Sequence, residues 1–349
     1  MIPLCKILRV TLAVLLAASS HQAAYAQGPG TAYVSNQQGG VSVIDLATMA
    51  VTATFDTGAH GPRGIGVSDD GTRLVTANMV DGNVSIINVA SGKLEHLVPI
   101  GSSPEFVRVR GQTAYVTYEP RGGPAASPGA ASDKKDDDDD VPAHIAIIDL
   151  PSGKVIGDVA GKPQTEGLEF SRDGSQIIVT NESDNSLSVL DSASGKLVRT
   201  VSLAAYGDRP RGIKRSPDGS TYVVTLELSG QLLVLDDKLE LVKQIATART
   251  PYGVAFDRSG SRVFVATNKD KLLQVFDSAT WTLIKDIPTA DRCWHFSFTP
   301  DDRQILLACG KSDAVLVIDA QALAVTKRIN GLHMPWGVVT YPRSKGSID

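Results

Sequence analysis

The sequence of 349 residues has no excess of positive charge, few aromatic residues and no local catalytic motif. Its formal net charge is −4 at pH 7, which does not suit a protein that binds nucleic acid or an anionic membrane through charge. Aromatic residues make up only 5% of the chain, whereas 32 residues are Gly. This balance favours many short strands and turns over helices.

The motifs of several enzyme and cofactor classes are absent. The sequence has no Gly-x-Ser-x-Gly elbow, no phosphate-binding glycine loop, no His-Glu-x-x-His and no Cys-x-x-Cys-His haem attachment. We therefore assign no catalytic residue and no cofactor from local motifs.

Long apolar runs are also missing, apart from one short run at the N-terminus. Residues 1–26 have the pattern of a secretory signal, with Lys6 and Arg9 before an apolar run at 10–18 and Ala24-Tyr25-Ala26 as the cleavage site. That run is much shorter than the ~20 residues that span a bilayer. We therefore expect a periplasmic or secreted protein that begins near Gln27 and has no stable membrane anchor.

What the sequence does contain is one unit repeated seven times. An apolar run that ends in Asp or Asn recurs about every 42 residues, apart from one interval of 61 residues. The seven runs are residues 41–45, 84–88, 145–149, 187–191, 232–236, 272–277 and 315–319. A three-residue landmark accompanies each unit: Pro62-Arg63-Gly64, Pro104-Glu105-Phe106, Thr165-Glu166-Gly167, Pro210-Arg211-Gly212, Pro251-Tyr252-Gly253, Cys293-Trp294-His295 and Pro335-Trp336-Gly337.

Each unit contains four short strand-like segments separated by turn residues, which is typical of a β-propeller blade. Six complete units run from Pro62 to about Ile329, and the seventh has its first strand at 336–341 and its other three at 33–55. Pairing these two ends would close the ring and remove an exposed edge. The sequence thus predicts an all-β, seven-bladed propeller with four antiparallel strands per blade, formed by residues 27–349 as a single domain.

An insertion at about residues 119–142 interrupts the second unit. It consists of Gly, Pro, Ala and Ser followed by an acidic run, and it has almost nothing to bury, so we expect a disordered loop. Because strands alternate in direction, this loop should emerge on the face where each first strand begins. Binding of calcium or a partner is the alternative, although the run lacks the Gly-punctuated spacing of a calcium loop.

The middle residues of the landmarks should form a ring at one mouth of the central channel, because the first strand of each blade lines that channel. Two cations, two anions and three aromatic rings could clamp a carboxylate on the arginines and a planar group on the aromatic residues. In the alternative interpretation Arg63 pairs with Glu105, Arg211 pairs with Glu166, and the aromatic residues only fill the channel. The predicted ligand-binding residues are Arg63, Glu105, Glu166, Arg211, Tyr252, Trp294, His295 and Trp336.

His295 and two cysteines depart from the landmark pattern. His295 stands where five landmarks have Gly, and its imidazole could ligate a metal or haem iron or act as a base; no other His has ligand spacing to it, so we predict no metal site. Cys293 and Cys309 lie at equal distances from Asp301, the centre of the predicted turn between two strands, and should face each other. In an oxidising compartment we expect a disulfide, with free or catalytic thiols as the alternative.

The repeat itself resembles a known family. Tyr33-Val-Ser-Asn36, the run 41–45, the Pro-x-Gly landmarks and residues 335–339 resemble the YVTN family of β-propeller repeats, of the YncE-like kind, over nearly all of the mature chain. The exported seven-repeat form is similar to propellers associated with pyrroloquinoline-quinone-dependent alcohol catabolism. The resemblance implies a periplasmic redox protein or a quinoprotein dehydrogenase as partner, and we expect a monomer.

Three functions are compatible with these observations. The first is a non-catalytic exported propeller that binds a small molecule or a redox protein at the channel mouth. The second resembles the haem d1 propellers of nitrite reductases, with His295 or His333 as iron ligand and Arg63 and Arg211 on the propionates. The third is a lactonase-like hydrolase that uses Glu105, Glu166 and His295, an assignment supported by fold alone.

Overall fold

The computed structural model describes residues 30–120 and 141–344, and this part of the chain forms seven four-stranded antiparallel sheets. The seven-bladed propeller predicted from the repeat is therefore confirmed. The predicted signal at 1–26 and most of the insertion, including its acidic run, lie outside the described residues. No helix among the described residues is long and apolar enough to cross a membrane.

Blades 1 to 6 follow one another in chain order. Blades 1 and 2 contain β4 (Pro62–Val67), β5 (Arg73–Asn78), β6 (Asn83–Asn88), β7 (Lys93–Pro99), β8 (Val107–Arg110), β9 (Thr113–Tyr118), β10 (His144–Asp149) and β11 (Lys154–Ala160). Blades 3 and 4 contain β12 (Thr165–Phe170), β13 (Gln176–Asn181), β14 (Ser186–Asp191), β15 (Leu197–Ser202), β16 (Pro210–Arg215), β17 (Thr221–Leu226), β18 (Gln231–Asp236) and β19 (Leu241–Ala246). Blades 5 and 6 contain β20 (Pro251–Phe256), β21 (Arg262–Thr267), β22 (Leu272–Asp277), β23 (Leu283–Pro288), β24 (Cys293–Phe298), β25 (Gln304–Cys309), β26 (Ala314–Asp319) and β27 (Ala324–Asn330).

Blade 7 closes the ring with strands from both ends of the chain. Its strand order is β28 (Pro335–Tyr341), β1 (Thr31–Asn36), β2 (Val41–Asp45) and β3 (Ala50–Phe55). Antiparallel pairing of Tyr33 with Val339 and of Val34 with Val338 sets the register. The predicted pairing of the C-terminal strand with three N-terminal strands is confirmed, and it leaves no first strand without a partner.

The apolar residues explain why the blades assemble. Second and third strands such as β5 and β6 are buried along nearly their whole length, because neighbouring blades cover both of their faces. Fourth strands such as β3 form the outer rim and are almost fully exposed. Seven apolar clusters result, each shared by two adjacent blades, and two of them join blade 7 to blades 6 and 1.

Blade 2 departs from the repeat. Its first strand begins at Val107 rather than at the Pro104-Glu105-Phe106 landmark. The backbone N–H of Glu105 still donates to the carbonyl of Thr117 at 3.1 Å, so the landmark remains against the second strand. Tyr118 and Ala143, which flank the insertion, line the same cavity as the predicted ring. The insertion therefore starts and ends on the expected face.

The predicted disulfide is present. Cys293 pairs directly with Cys309 across the hairpin of blade 6, and their Sγ atoms are bonded at 2.04 Å. The bond closes the first two strands of that blade next to Trp294.

Candidate functional site

A β-bulge turns the ring residues toward the channel. In every blade except blade 2 the pairing of the first and second strands shifts by one residue at the landmark. In blade 1, Pro62 pairs with Asn78 and Ile65 pairs with Thr76, so Arg63 and Gly64 together face a single residue. Such a bulge re-aims a side chain. All seven predicted ring residues line one cavity of about 790 Å³ at the channel mouth.

The glycines after the ring positions allow neighbouring blades to meet. A Cβ added at Gly253 would lie 2.4 Å from the carbonyl oxygen of Trp294 in the next blade, and one at Gly167 would lie 2.3 Å from that of Arg211. The hydroxyl of Thr180 donates to the same Arg211 carbonyl at 2.8 Å. This close approach fixes the spacing of the ring residues, and it requires glycine, which has no Cβ, after the ring position.

One half of the mouth cavity is a network of carboxylates and guanidinium groups. Arg63 pairs with Glu105 at 2.8 Å, and Arg211 pairs with Glu166 at 3.2 Å. Arg211 also lies 3.5 Å from Glu105, 2.6 Å from Glu182 and 3.1 Å from Glu227. The pairs of the alternative interpretation are therefore present, and Arg211, with a side chain 11% exposed, is their common centre.

Three members of this network were not identified from the sequence. Glu182 and Glu227 follow the second strands of blades 3 and 4, and Arg209 precedes the landmark of blade 4. Arg209 lies 2.8 Å from Glu182 and 3.4 Å from Glu227. They occupy equivalent positions in neighbouring repeats, just outside the ring, and a comparison of those positions could have identified them in the sequence. We name the whole set, Arg63, Glu105, Glu166, Glu182, Arg209, Arg211 and Glu227, the carboxylate–arginine half.

Burial and neighbouring charges shift the pKa values of the glutamates in this half in different directions. Burial raises the pKa of Glu166 well above its usual value, and the nearby charge of Glu105 adds to the rise. Burial also raises the pKa of Glu182. For Glu105, burial is outweighed by the charges of Arg63 and Arg211, which lower its pKa. This half contains four carboxyl groups and three guanidinium groups, so one negative charge would remain uncompensated if all four carboxyl groups were ionised. Glu166 is the carboxyl group that most favours a proton.

The other half of the cavity is aromatic and basic. Tyr252, Trp294, Met334 and Trp336 form a buried cluster. Tyr252 joins the two halves, because Nη1 of Arg211 donates to its hydroxyl at 2.7 Å and the guanidinium carbon lies 4.5 Å from its ring centroid. Four cations also line the cavity on turns of blades 5 and 6, and the landmark pattern did not indicate them. This aromatic–basic half comprises Tyr252, Lys269, Lys271, Arg292, Trp294, Lys311, Met334 and Trp336.

His295 lies apart from the mouth cavity. It lines a smaller cavity of about 70 Å³ within the channel. Its ring centroid is 4.2 Å from that of Trp336 and 5.2 Å from that of Tyr252. Burial, together with the positive charges of Lys214 and Arg211, lowers its pKa to about 3, so its imidazole is neutral at physiological pH. His333 is exposed and is not among the residues that line the mouth cavity.

The described residues contain no group of three or more His, Cys, Asp or Glu side chains that could hold a metal ion. The four glutamates of the carboxylate–arginine half are each paired with an arginine. In that half, positive charge is supplied by guanidinium groups.

Comparison with solved structures shows the same architecture in proteins of different activity. The chain is similar to the Pseudomonas aeruginosa periplasmic gluconolactonase PpgL (17% identity, TM-score 0.72, covering 89% of this chain and 98% of that chain). It is similar to Kuenenia stuttgartiensis hydrazine synthase (18%, TM-score 0.69, 83% and 92%) and to the dihydro-heme d1 dehydrogenase NirN in complex with DHE (19%, TM-score 0.64, 89% and 75%). At these identities the likeness shows the fold alone.

Sequence comparison adds the family. No curated protein matches the chain significantly. Residues 223–347 match the family profile described as YNCE-like beta-propeller. The chain is therefore a seven-bladed β-propeller whose residues 223–347 are similar to the YncE-like propellers.

Proposed function

We propose that this protein is an exported, non-catalytic propeller that binds a small molecule in the mouth cavity. The observation that carries the proposal is the composition of that cavity. It combines a buried aromatic cluster with three cationic side chains, Lys269, Arg292 and Lys311, that form no ion pair with any described residue. Small-molecule sites typically have this combination of apolar surface and a few polar groups.

The cavity has a suitable size. Its volume of about 790 Å³ falls within the range of roughly 300–1,000 Å³ that is usual for pockets of drug-sized ligands. The landmark bulges and the close contacts between blades fix its wall, so a ligand would meet a largely preformed surface. Preformed sites bind with a lower entropic cost.

The arrangement of the acidic groups supports a role without catalysis. Glu105 and Glu166, the two carboxylates of the lactonase hypothesis, share the Arg211 guanidinium. His295, its third member, faces the smaller cavity. A general base needs hydrogen-bond reach to the proton that it removes, and here the imidazole lines a different cavity from the carboxylates.

The haem hypothesis has little support at the same residues. The cavity that His295 faces, about 70 Å³, has no room for a macrocycle beside the imidazole. Arg63 and Arg211, the candidates for the propionates, are already paired with glutamates. We therefore propose no haem d1 for this chain.

Export is supported by the signal-like N-terminal sequence and by the disulfide between Cys293 and Cys309, since disulfides persist in oxidising compartments. We also propose that the mouth face is where a periplasmic redox protein or a quinoprotein dehydrogenase would meet the propeller. That proposal rests on the sequence resemblance and comes second to ligand binding.

A ligand screen tests the proposal. The exported protein is screened by affinity mass spectrometry against a library of metabolites, and each hit is repeated with Met79→Trp, which fills part of the mouth cavity. The control is Val198→Trp on an exposed outer strand. We expect hits that Met79→Trp removes and Val198→Trp retains. Hits that survive Met79→Trp would contradict the site, and hydrolysis of gluconolactone that Met79→Trp abolishes would contradict the non-catalytic role.

A further inference from the structure

We propose that the ligand of the aromatic–basic half is a flat organic anion. Its anionic groups would be held by Asn268, Lys269, Arg292 and Lys311, and its ring would lie against Trp294 and Trp336. This inference rests on the proposed function, because it names the chemical class of ligand for the same cavity.

The cations of this half are available, unlike those of the other half. Lys269 lies on the turn after β21, Arg292 on the turn before β24, and Lys311 on the 3-10 turn Gly310–Ser312 after β25. In the described part of the chain, none of the three has a carboxylate within ion-pair distance. Only their neighbour Lys271 is paired, with Asp291 at 2.6 Å. Three uncompensated cations around one cavity attract an anion.

Asn268 adds a polar group on the turn after β21. In blade 5 Pro251 pairs with Thr267, at the position that Asn78 and Asn181 hold in blades 1 and 3, so Asn268 lies one residue further along. It occupies the position of Glu182 and Glu227 in blades 3 and 4 but carries no charge.

The Oδ1 atom of Asn268 is buried and accepts no hydrogen bond from any described residue. The side chain lines the mouth cavity beside Lys269. Because an unmade hydrogen bond at a buried polar atom is costly, a ligand or water that reaches this amide recovers stabilisation.

The aromatic wall is held rigidly. The six-membered ring of Trp294 lies over Gly310, where an added Cβ would be only 2.0 Å from that ring. The guanidinium carbon of Arg292 lies 5.8 Å from the Trp294 ring centroid. The disulfide bonds Cys293, the residue before Trp294, to Cys309, the residue before Gly310. A cation beside a fixed indole offers both charge and a flat apolar surface.

The two features together define the ligand. A compact inorganic anion would use the cations but not the aromatic wall or the volume of the cavity. A neutral flat molecule would leave the three cations uncompensated. An anion with a conjugated ring and at least two anionic groups uses both features.

A set of four probes separates charge from flatness. Trimesate is flat and carries three carboxylates, tricarballylate carries three carboxylates on an open chain, the triamide of trimesate is flat and neutral, and inorganic phosphate is small. Binding is measured by quenching of tryptophan fluorescence and by calorimetry. We expect trimesate to bind at least ~10-fold more tightly than each of the others, since aromatic contacts and charge-assisted hydrogen bonds each contribute about one factor of ten.

Two matched pairs of variants locate the binding. Lys269→Gln with Lys311→Gln should weaken trimesate binding about tenfold or more, whereas Lys196→Gln with Lys285→Gln, on exposed positions outside the cavity, should not. Asn268→Ala should weaken binding without lowering the midpoint of urea unfolding. Asn181→Ala, which removes hydrogen bonds to Ser186 and Ser188, should show the reverse.

The outcomes distinguish this inference from the proposed function. Equal binding of trimesate and tricarballylate, or tighter binding of the triamide, would overturn the flat anion. If trimesate does not bind while Met79→Trp loses the binding of another ligand, the proposal of a flat anion is wrong and the proposal of small-molecule binding stands. If no ligand at all depends on Met79, Lys269 or Lys311, both are wrong.

Discussion

The two halves of the mouth cavity are built from the same repeat positions but differ in whether their charged groups form ion pairs. In the carboxylate–arginine half every guanidinium group has a glutamate within 3.5 Å. In the aromatic–basic half Lys269, Arg292 and Lys311 have no acidic partner among the described residues, and Asn268 has an unused acceptor. The first half pairs each of its cations with a carboxylate, whereas the second leaves three cations and one buried acceptor for a ligand.

This difference separates the structural and the functional use of one repeat. Buried ion pairs are expensive to break but add little net stability when formed, so they serve to fix the geometry of the ring. Unpaired cations on a surface cost little in a folded protein and are available for binding. The comparison therefore predicts that variants of the first half affect stability and variants of the second half affect binding.

Removal of Arg211 should have the largest effect. Arg211→Ala leaves Glu105, Glu166, Glu182 and Glu227 without their shared cation, and we expect it to lower the free energy of unfolding by about 3–5 kcal/mol, as for other buried ion pairs from which one partner is removed. Urea unfolding measures the change. Arg292→Ala, which breaks no ion pair within residues 30–120 and 141–344, is the control and should change stability by less than about 1 kcal/mol. Similar losses in both variants would erase the distinction between the halves.

Removal of the disulfide should come next. Cys293 and Cys309 are 16 residues apart, and a loop of that length corresponds to about 3 kcal/mol on the chain-entropy account. We expect the double Cys→Ala variant to lose about this much stability in urea. Because the bond adjoins Trp294, binding in the aromatic–basic half should weaken as well. Wild type treated with a reductant serves as the comparison, and unchanged binding in both would show that the bond does not support the wall.

Filling the contact between two blades should have a smaller effect. Gly253→Ala would place a Cβ 2.4 Å from the carbonyl of Trp294, and we expect a loss of roughly 1–3 kcal/mol together with a shift in tryptophan emission. Gly167→Ala makes the same clash against Arg211 and should cost stability without that shift. Gly39→Ala, with 3.5 Å of space, is the control. A fluorescence change in Gly167→Ala would show that the two halves are not independent.

The pH dependence of stability should show the smallest effect. Burial raises the pKa of Glu166 above its unfolded value near 4.5, so the folded protein retains this proton. The stabilisation is therefore complete below about pH 4.5 and is lost as the pH rises through the raised pKa, with a slope of up to ~1.4 kcal/mol per pH unit. Glu166→Gln removes this titration, and its stability should fall less over that range. Glu105→Gln tests the opposite sign, since the lowered pKa of Glu105 stabilises the fold above pH 4.5 and this contribution is lost on acidification. Parallel pH profiles for wild type and Glu166→Gln would refute the assignment.

The features that recur in each repeat could be predicted from the sequence. Seven landmarks at a steady spacing were enough for the blade count, the closure through Trp336 and the ring position of Arg63, because each follows from counting strands. The cysteine pair could also be predicted, since both residues occupy paired positions of one hairpin. Pairing of Arg211 with Glu166 was one of two open interpretations, because spacing along the chain does not show which side chains meet across a channel.

The parts that could not be predicted depend on single replacements within the repeat. The partners of Arg211 at Glu182 and Glu227 are brought together by the curvature of the ring. The start of β8 at Val107 accompanies Phe106, which takes the place of a landmark glycine. The buried acceptor of Asn268 has no hydrogen-bond partner among the described residues, and no residue pattern in the repeat indicates this. Such effects can be identified only when the positions of the side chains are known.

The most direct test of the difference between the halves is a crystal structure of the protein with bound trimesate. We predict carboxylates of the ligand within hydrogen-bond distance of Lys269, Arg292 or Lys311 and its ring against Trp294 or Trp336. A ligand seated between Arg63 and Arg211, with their glutamates displaced, would contradict the assignment of structure to one half and binding to the other.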